Sequence, residues 1–119
     1  MGNKILVVED HADSREMMCL VLESYGYEVK EAGDGAEAVE IVKHWCPDLI
    51  LMDVNMPRMD GLTATALIRE NANCRTTPII AVTAFTDFAE QAVAAGCTGV
   101  LKKPVEFAQL RSVVEAQIA

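Results

Sequence analysis

Basic charge is what this sequence is short of: its 119 residues carry ten Lys and Arg against eighteen Asp and Glu, a formal net charge of -8. Such a chain repels phosphate backbones and anionic lipid surfaces, which argues against direct nucleic-acid binding and against a membrane role. No apolar stretch approaches the ~18 residues that a bilayer span needs, and no secretory leader precedes the first apolar run, so the chain reads as cytoplasmic. The opening Met1-Gly2 matches the start of a myristoylation signal, but Leu6 stands where Ser or Thr is required. Paired cysteines are missing too. Cys19, Cys46, Cys74 and Cys97 are dispersed, with no CxxC and no paired histidine, which leaves zinc binding and dithiol chemistry without support and four idle thiols as the expectation. Linkers, repeats and low-complexity tracts are absent, and the length suits one core, so residues 1–119 read as one domain.

What the sequence has is alternation. "KILVVED", "DLILMD" and "PIIAVT" are short apolar runs rich in branched residues, as expected of strands buried on both faces of a parallel sheet. "YEVKEA" alternates Tyr27 and Val29 with Glu28 and Lys30, which predicts a wetter strand at a sheet edge. "GVLKK" is a short fifth strand candidate. Between these runs lie helical spacings: Met18, Val21, Leu22 and Tyr25, then Ala38, Ile41, Val42 and Trp45, then Ala64, Leu67 and Ile68, then Ala89, Ala92 and Val93, and last Leu110, Val113 and Val114. Asp13 with Glu16, and Asp34 with Glu37, have the spacing of capping boxes. Gly26, Pro47 and Gly96 supply stops. Five strands alternating with five helices predict a doubly wound α/β fold of the flavodoxin-like kind, in which a five-stranded parallel sheet of order 2-1-3-4-5 binds ligands at the carboxyl ends of its strands.

In "LILMDVNMPRMDG" an apolar run ends on a carboxylate, Asp53. Taken alone, Asp53 is a surface residue opening a turn. The topology adds company. If the order holds, Glu9 and Asp10 end strand one beside Asp53 on strand three, with neighbouring strands about 4.8 Å apart. Three converging carboxylates repel one another and push at least one pKa upward, so the cluster calls for a cation. Hard oxygen donors with few protein contacts suit Mg2+. Thr83 ends strand four and Lys103 follows strand five; each alone is unremarkable, but together with a nucleophilic carboxylate and a metal they are the parts of a phosphoryl-transfer site.

"LVVED", "MDVNMPRMDG", "AVTA" and "KKP" resemble, in order and spacing, the receiver domains of two-component response regulators, and the likeness covers essentially the whole chain. Chemotaxis receivers are a known example of the 2-1-3-4-5 order. The resemblance implies that Asp53 is the phosphoacceptor, taking a phosphoryl group from a histidine of a sensor histidine kinase or a histidine phosphotransfer protein. It implies Mg2+ held directly by Asp10 and Asp53, by Glu9 through water and by the backbone carbonyl of Asn55. Thr83 and Lys103 would contact the phosphoryl oxygens, and the Lys103–Pro104 bond would be cis. Such a domain is a signalling switch, catalysing only its own phosphorylation and dephosphorylation. Its output would be a downstream protein target or an effector domain outside this chain.

One position departs from the family pattern. Where receivers often carry Tyr or Phe, this chain has Val100, a stiff side chain without a long lever. The conformational response is then expected through Thr83 and the loop that follows it, with Phe85 or Phe88 assisting. Three rival readings are weaker. A phosphatase of the haloacid dehalogenase type wants an acid where Asn55 stands. A receiver-like interaction module without phosphorylation usually loses an acceptor, acid or lysine that is kept here. A flavin-binding domain wants a phosphate-cradling loop where "EDHADSRE" is acidic.

Overall fold

The computed structural model describes residues 3–54, 59–84 and 89–118. Strands and helices alternate: β1 (Lys4–Val8), α1 (Ala12–Ser24), β2 (Glu28–Ala32), α2 (Gly35–Val42), β3 (Leu49–Asp53), α3 (Gly61–Arg69), β4 (Ile79–Thr83), α4 (Ala89–Ala95), β5 (Gly99–Lys102) and α5 (Phe107–Ile118), with a 3-10 turn at Ala72–Cys74. The strands are parallel and lie in the order β2-β1-β3-β4-β5. The predicted α/β architecture is therefore the observed one, with β2 at an edge and mostly exposed, Val29 half-buried and Ala32 buried.

Each inner strand feeds two cores, because successive side chains leave a strand on opposite faces. Leu6, Val8, Ile50, Met52, Ile79 and Ala81 face one side, where they pack with Ala38 and Val42 of α2, Ala64 and Ile68 of α3, and Ala92 of α4. Ile5, Val7, Leu49, Leu51, Ile80 and Val82 face the other, against Met18 and Leu22 of α1 and Leu110 and Val114 of α5. This two-sided burial explains why β1, β3 and β4 read as unbroken apolar runs.

Several local expectations need correction. Asp13 and Glu16 do not cap α1: the helix begins at Ala12, so Asp13 already lies within its first turn, and the N-cap is His11, whose side chain makes no capping bond. The second box forms in part: the N-cap Asp34 accepts from Glu37 N–H through Oδ1 at 2.8 Å, but Glu37 Oε2 accepts from Gly33 N–H at 3.3 Å, one residue before the N-cap. Helix α2 stops at Val42, short of Trp45. Val93 and Leu67 point outward, 61% and 38% exposed, because α4 turns Ala92 and α3 turns Ala64 and Ile68 to the core. Cys19, Cys74 and Cys97 are buried free thiols and Cys46 is an exposed one, with burial and then nearby Glu31 and Glu23 pushing the Cys19 thiol up to about 12.

The end of α3 is fastened by Arg69. Its Nε and Nη2 donate to the Gly96 carbonyl at 3.0 and 2.8 Å, while Nη1 donates to the carbonyls of Cys74 at 2.7 Å and Thr77 at 2.6 Å. Charge-assisted bonds to fixed carbonyls are stronger than neutral ones, and the planar fork is not reproduced by an ammonium. Arg69→Ala is expected to lower the unfolding free energy by about 2 kcal/mol, with Arg69→Lys recovering less than half, as read from urea denaturation midpoints.

Candidate functional site

The site lies at the carboxyl edge of the sheet, where chain order makes β1 and β3 neighbours and sends their following segments to opposite faces. The register pairs Val8 with Met52, Asp53 with Val82, and Thr83 with Lys102. Glu9 and Asp10 follow β1 directly, and Glu9 N–H is fixed by the Ala32 carbonyl at 3.1 Å. A bond from Lys103 N–H to the Thr83 carbonyl at 2.8 Å sets Lys103 beside the end of β4. The Lys103–Pro104 peptide is cis, as expected.

These positions bring the side chains together. Lys103 Nζ lies 3.2 Å from Asp53 Oδ2 and 3.4 Å from Glu9 Oε1. Asp53, Thr83 and Glu9 are buried, only 2%, 2% and 5% exposed, and buried acids are tolerated only with partners or a shared proton. Burial first, and then Glu9, push the Asp53 carboxyl up to about 7 against the pull of Lys103. Burial works to raise Glu9 as well, but hydrogen bonds with Asp53 and Asp10, and the Lys103 charge, carry it down to about 2. The pair therefore favours holding a proton between its two carboxyls as pH falls below neutral. Burial alone would lower the Lys103 ammonium, and the facing Asp53 and Glu9 raise it above the usual lysine value.

The donor set fits a hard divalent cation. Glu9 and Asp10 each offer an oxygen, and Asp10 Oδ1, buried, accepts no hydrogen bond among the described residues. Asn55 lies outside the described residues, as do Phe85 and Phe88. Val100 sits on β5 opposite Ala81 and packs, partly buried, on the α2-α3-α4 side.

Reading the residues missed three features. His11 joins Glu9 and Asp10 in one cluster of possible metal ligands; its place next to the acids was the available signal. Arg15 donates to the Glu9 carbonyl at 2.9 Å and to Glu31 Oε1 at 3.0 Å, which only the three-dimensional return of α1 reveals. Gly61 packs directly on the backbone of Asp53 and Val54.

The family model for the response regulator receiver domain matches residues 5–115. The chain belongs to the response regulator receiver domain family. It is 41% identical over 119 residues to the transcriptional regulatory protein PdtaR of Mycobacterium tuberculosis, an alignment covering 98% of this chain and 57% of that one. The receiver thus spans little more than half the length of that relative. The chemotaxis protein CheY4 of Vibrio cholerae superposes with a TM-score of 0.95 at 33% identity, covering 98% of this chain and 99% of that one. The receiver domain of sensor histidine kinase PA1611 from Pseudomonas aeruginosa PAO1, solved with a magnesium ion coordinated in its active-site cleft, gives a TM-score of 0.92 at 37% identity, covering 99% of this chain and 98% of that one. No helix among the described residues of this receiver is long and apolar enough to cross a membrane.

Proposed function

We propose that this receiver, residues 1–119 acting as one unit, accepts a phosphoryl group on Asp53 from a phosphohistidine in a cytoplasmic His-Asp phosphorelay. The observation that carries this reading is Lys103 Nζ bridging Asp53 Oδ2 and Glu9 Oε1 at 3.2 and 3.4 Å. A buried carboxylate with an ammonium against it is a nucleophile with its charge partner already in place. Asp53 attacks phosphorus as the phosphorus–nitrogen bond of the donor breaks, and the imidazole leaves with a proton. Lys103 then turns from the carboxylate to a phosphoryl oxygen, and Thr83, at the adjoining strand end, donates its hydroxyl to another. Glu9, Asp10 and Asp53, with the carbonyl of Asn55, would hold Mg2+. Bound there, the ion supplies neutralisation of the phosphoryl oxygens and of the acidic cluster.

The donor docks over a cleft of about 720 Å³ beside the site, lined by Glu9, His11, Met17, Lys103, Pro104 and Phe107. Met17 and Phe107 are large apolar side chains left 51% and 43% exposed at its rim, which supports a protein partner such as a sensor histidine kinase or a histidine phosphotransfer protein. The phosphorylated form then changes its affinity for a downstream protein target or effector domain. The receiver turns over no external substrate: it makes and loses its own acyl phosphate, with Thr83 carrying the response and Val100 moving little.

Incubation with acetyl phosphate tests the reading. Intact-mass measurement is expected to show one added phosphoryl group that requires Mg2+, does not form when chelator is present from the start and is absent from Asp53→Asn. Equal labelling of wild type and Asp53→Asn would move the acceptor elsewhere, and steady phosphate release from phosphomonoesters would favour a phosphatase.

A further inference from the structure

The sheet ends on an open edge at β2, which is bonded to β1 and to no other strand among the described residues. Glu28 N–H donates to the Asn3 carbonyl at 2.9 Å, and the Ala32 carbonyl accepts from Glu9 N–H at 3.1 Å. The even-numbered residues of β2 thus turn their backbone groups towards β1. Peptide groups alternate along a strand, which leaves Val29 and Glu31 with N–H and C=O directed outward. The side chains sort as well. Glu28 pairs with Lys4 and Lys30 with Leu6, and the ammonium groups of Lys4 and Lys30 both stand over the Trp45 ring, 5.9 and 5.2 Å from its centre. Glu28 and Lys30 therefore share the α2 side of the sheet, both exposed, while Val29 is half-buried on the α1 side.

We infer that this edge is a self-association surface, joining β2 of a second copy of the chain antiparallel about Val29, so that Glu28 of each copy faces Lys30 of the other. An unpaired strand edge is a template for another strand, and charge here selects both occupant and register. A two-fold axis centred on Glu28, Lys30 or Glu31 would set that residue against its own copy. Centred on Val29, it gives two opposite-charge pairs at non-hydrogen-bonded positions, where Cα atoms stand about 4.5 Å apart and side chains interact most closely. The backbone agrees with that register, because Val29 is an outward-facing residue and exchanges both its bonds with Val29 of the partner. Glu31 is already neutralised by Arg15 at 3.0 Å, so the edge is close to neutral on a chain whose net charge of -8 keeps copies apart elsewhere. β1 stands between this edge and the acceptor strand β3, and the inference does not depend on the phosphoacceptor reading.

Sedimentation velocity over a concentration series reaching about 1 mM tests it, the five-residue edge placing the dimer among weak associations. Wild type is expected to pass from monomer to dimer across the series. Glu28→Lys and Lys30→Glu each make both cross-strand pairs repulsive and are expected to weaken association by about tenfold or more. An equimolar mixture of the two variants restores opposite charges at both pairs and is expected to associate as wild type does, as is the double variant alone. Val29→Pro removes an outward N–H that β1 does not use, a change edge strands tolerate, and is expected to stay monomeric with unchanged circular dichroism. A wild type monomeric throughout, association undiminished in the three single variants, or a charge-swapped mixture that remains monomeric would each overturn the inference.

Discussion

Gly61→Ala is expected to unfold at markedly lower denaturant and to label slowly or not at all with acetyl phosphate. A methyl group at this position would fall on the Asp53 carbonyl oxygen and within 2.9 Å of both the Asp53 carbonyl carbon and Val54 Cα. All three are backbone atoms of the strand end that carries the acceptor, so no side chain can swing aside. The helix cannot retreat easily either, because Gly61 N–H is bonded to the Val54 carbonyl at 3.1 Å and Asp60 caps α3 through Thr63 N–H at 2.9 Å. Overpacking of this kind costs about 3 kcal/mol, and what relaxation occurs displaces Asp53 from Lys103. Gly26→Ala is the control. Gly26 adopts φ +96 after α1 with nothing within 4 Å, so its substitution is expected to cost about 1 kcal/mol through backbone strain alone and to leave labelling unchanged. Equal labelling rates for Gly61→Ala and wild type would show that the acceptor tolerates the displacement.

The metal-free receiver is expected to lose stability as pH rises from 5 to 7, with a slope of about 1 kcal/mol per pH unit. The sign follows from the shared proton. Asp53 is raised from 3.8 to about 7, so its contribution is fully present below pH 3.8 and is lost as pH rises through 7. Glu9 is lowered from 4.5 to about 2, so its contribution is present above pH 4.5 and is lost as pH falls through 2. Between pH 5 and 7 the folded pair retains one proton that the unfolded chain has released, and folding weakens with every unit. A divalent ion replaces that proton, so saturating Mg2+ is expected to flatten the slope and raise the midpoint at neutral pH. Asp53→Asn is expected to flatten it without metal, gaining about 2 kcal/mol at pH 7. Urea titrations at several pH values, with chelator or Mg2+, measure both; a flat metal-free profile would contradict the shared proton.

Sequence patterns revealed the layers of this fold more readily than its joints. Three apolar runs ending at Glu9, Asp53 and Thr83 were enough to align the strand ends, because two-sided burial leaves no polar alternation and the crossover rule leaves few orders. Repulsion among the acids was likewise foreseeable from topology, but burial is the larger cause of the raised Asp53 carboxyl, and Glu9 adds to it. Capping chemistry misled at α1, where Asp13 and Glu16 have the right spacing but the helix had already begun at Ala12. A side-chain pattern cannot say which of two adjacent turns starts first. Gly61 and Arg15 escaped for a different reason: their importance lies in backbone atoms distant in sequence, the Asp53 carbonyl for one and the Glu9 carbonyl for the other, and carbonyls leave no trace in residue identity.

Helix α3 has one end pressed on the peptide group of Asp53 and the other locked by Arg69 to the carbonyl of Gly96, three residues before β5. Nine residues of helix make a strut about 13 Å long. A rigid bar seated at both ends cannot shift at one without loading the other, so the β5 entrance is mechanically linked to the acidic crevice along a route that needs no aromatic side chain at Val100.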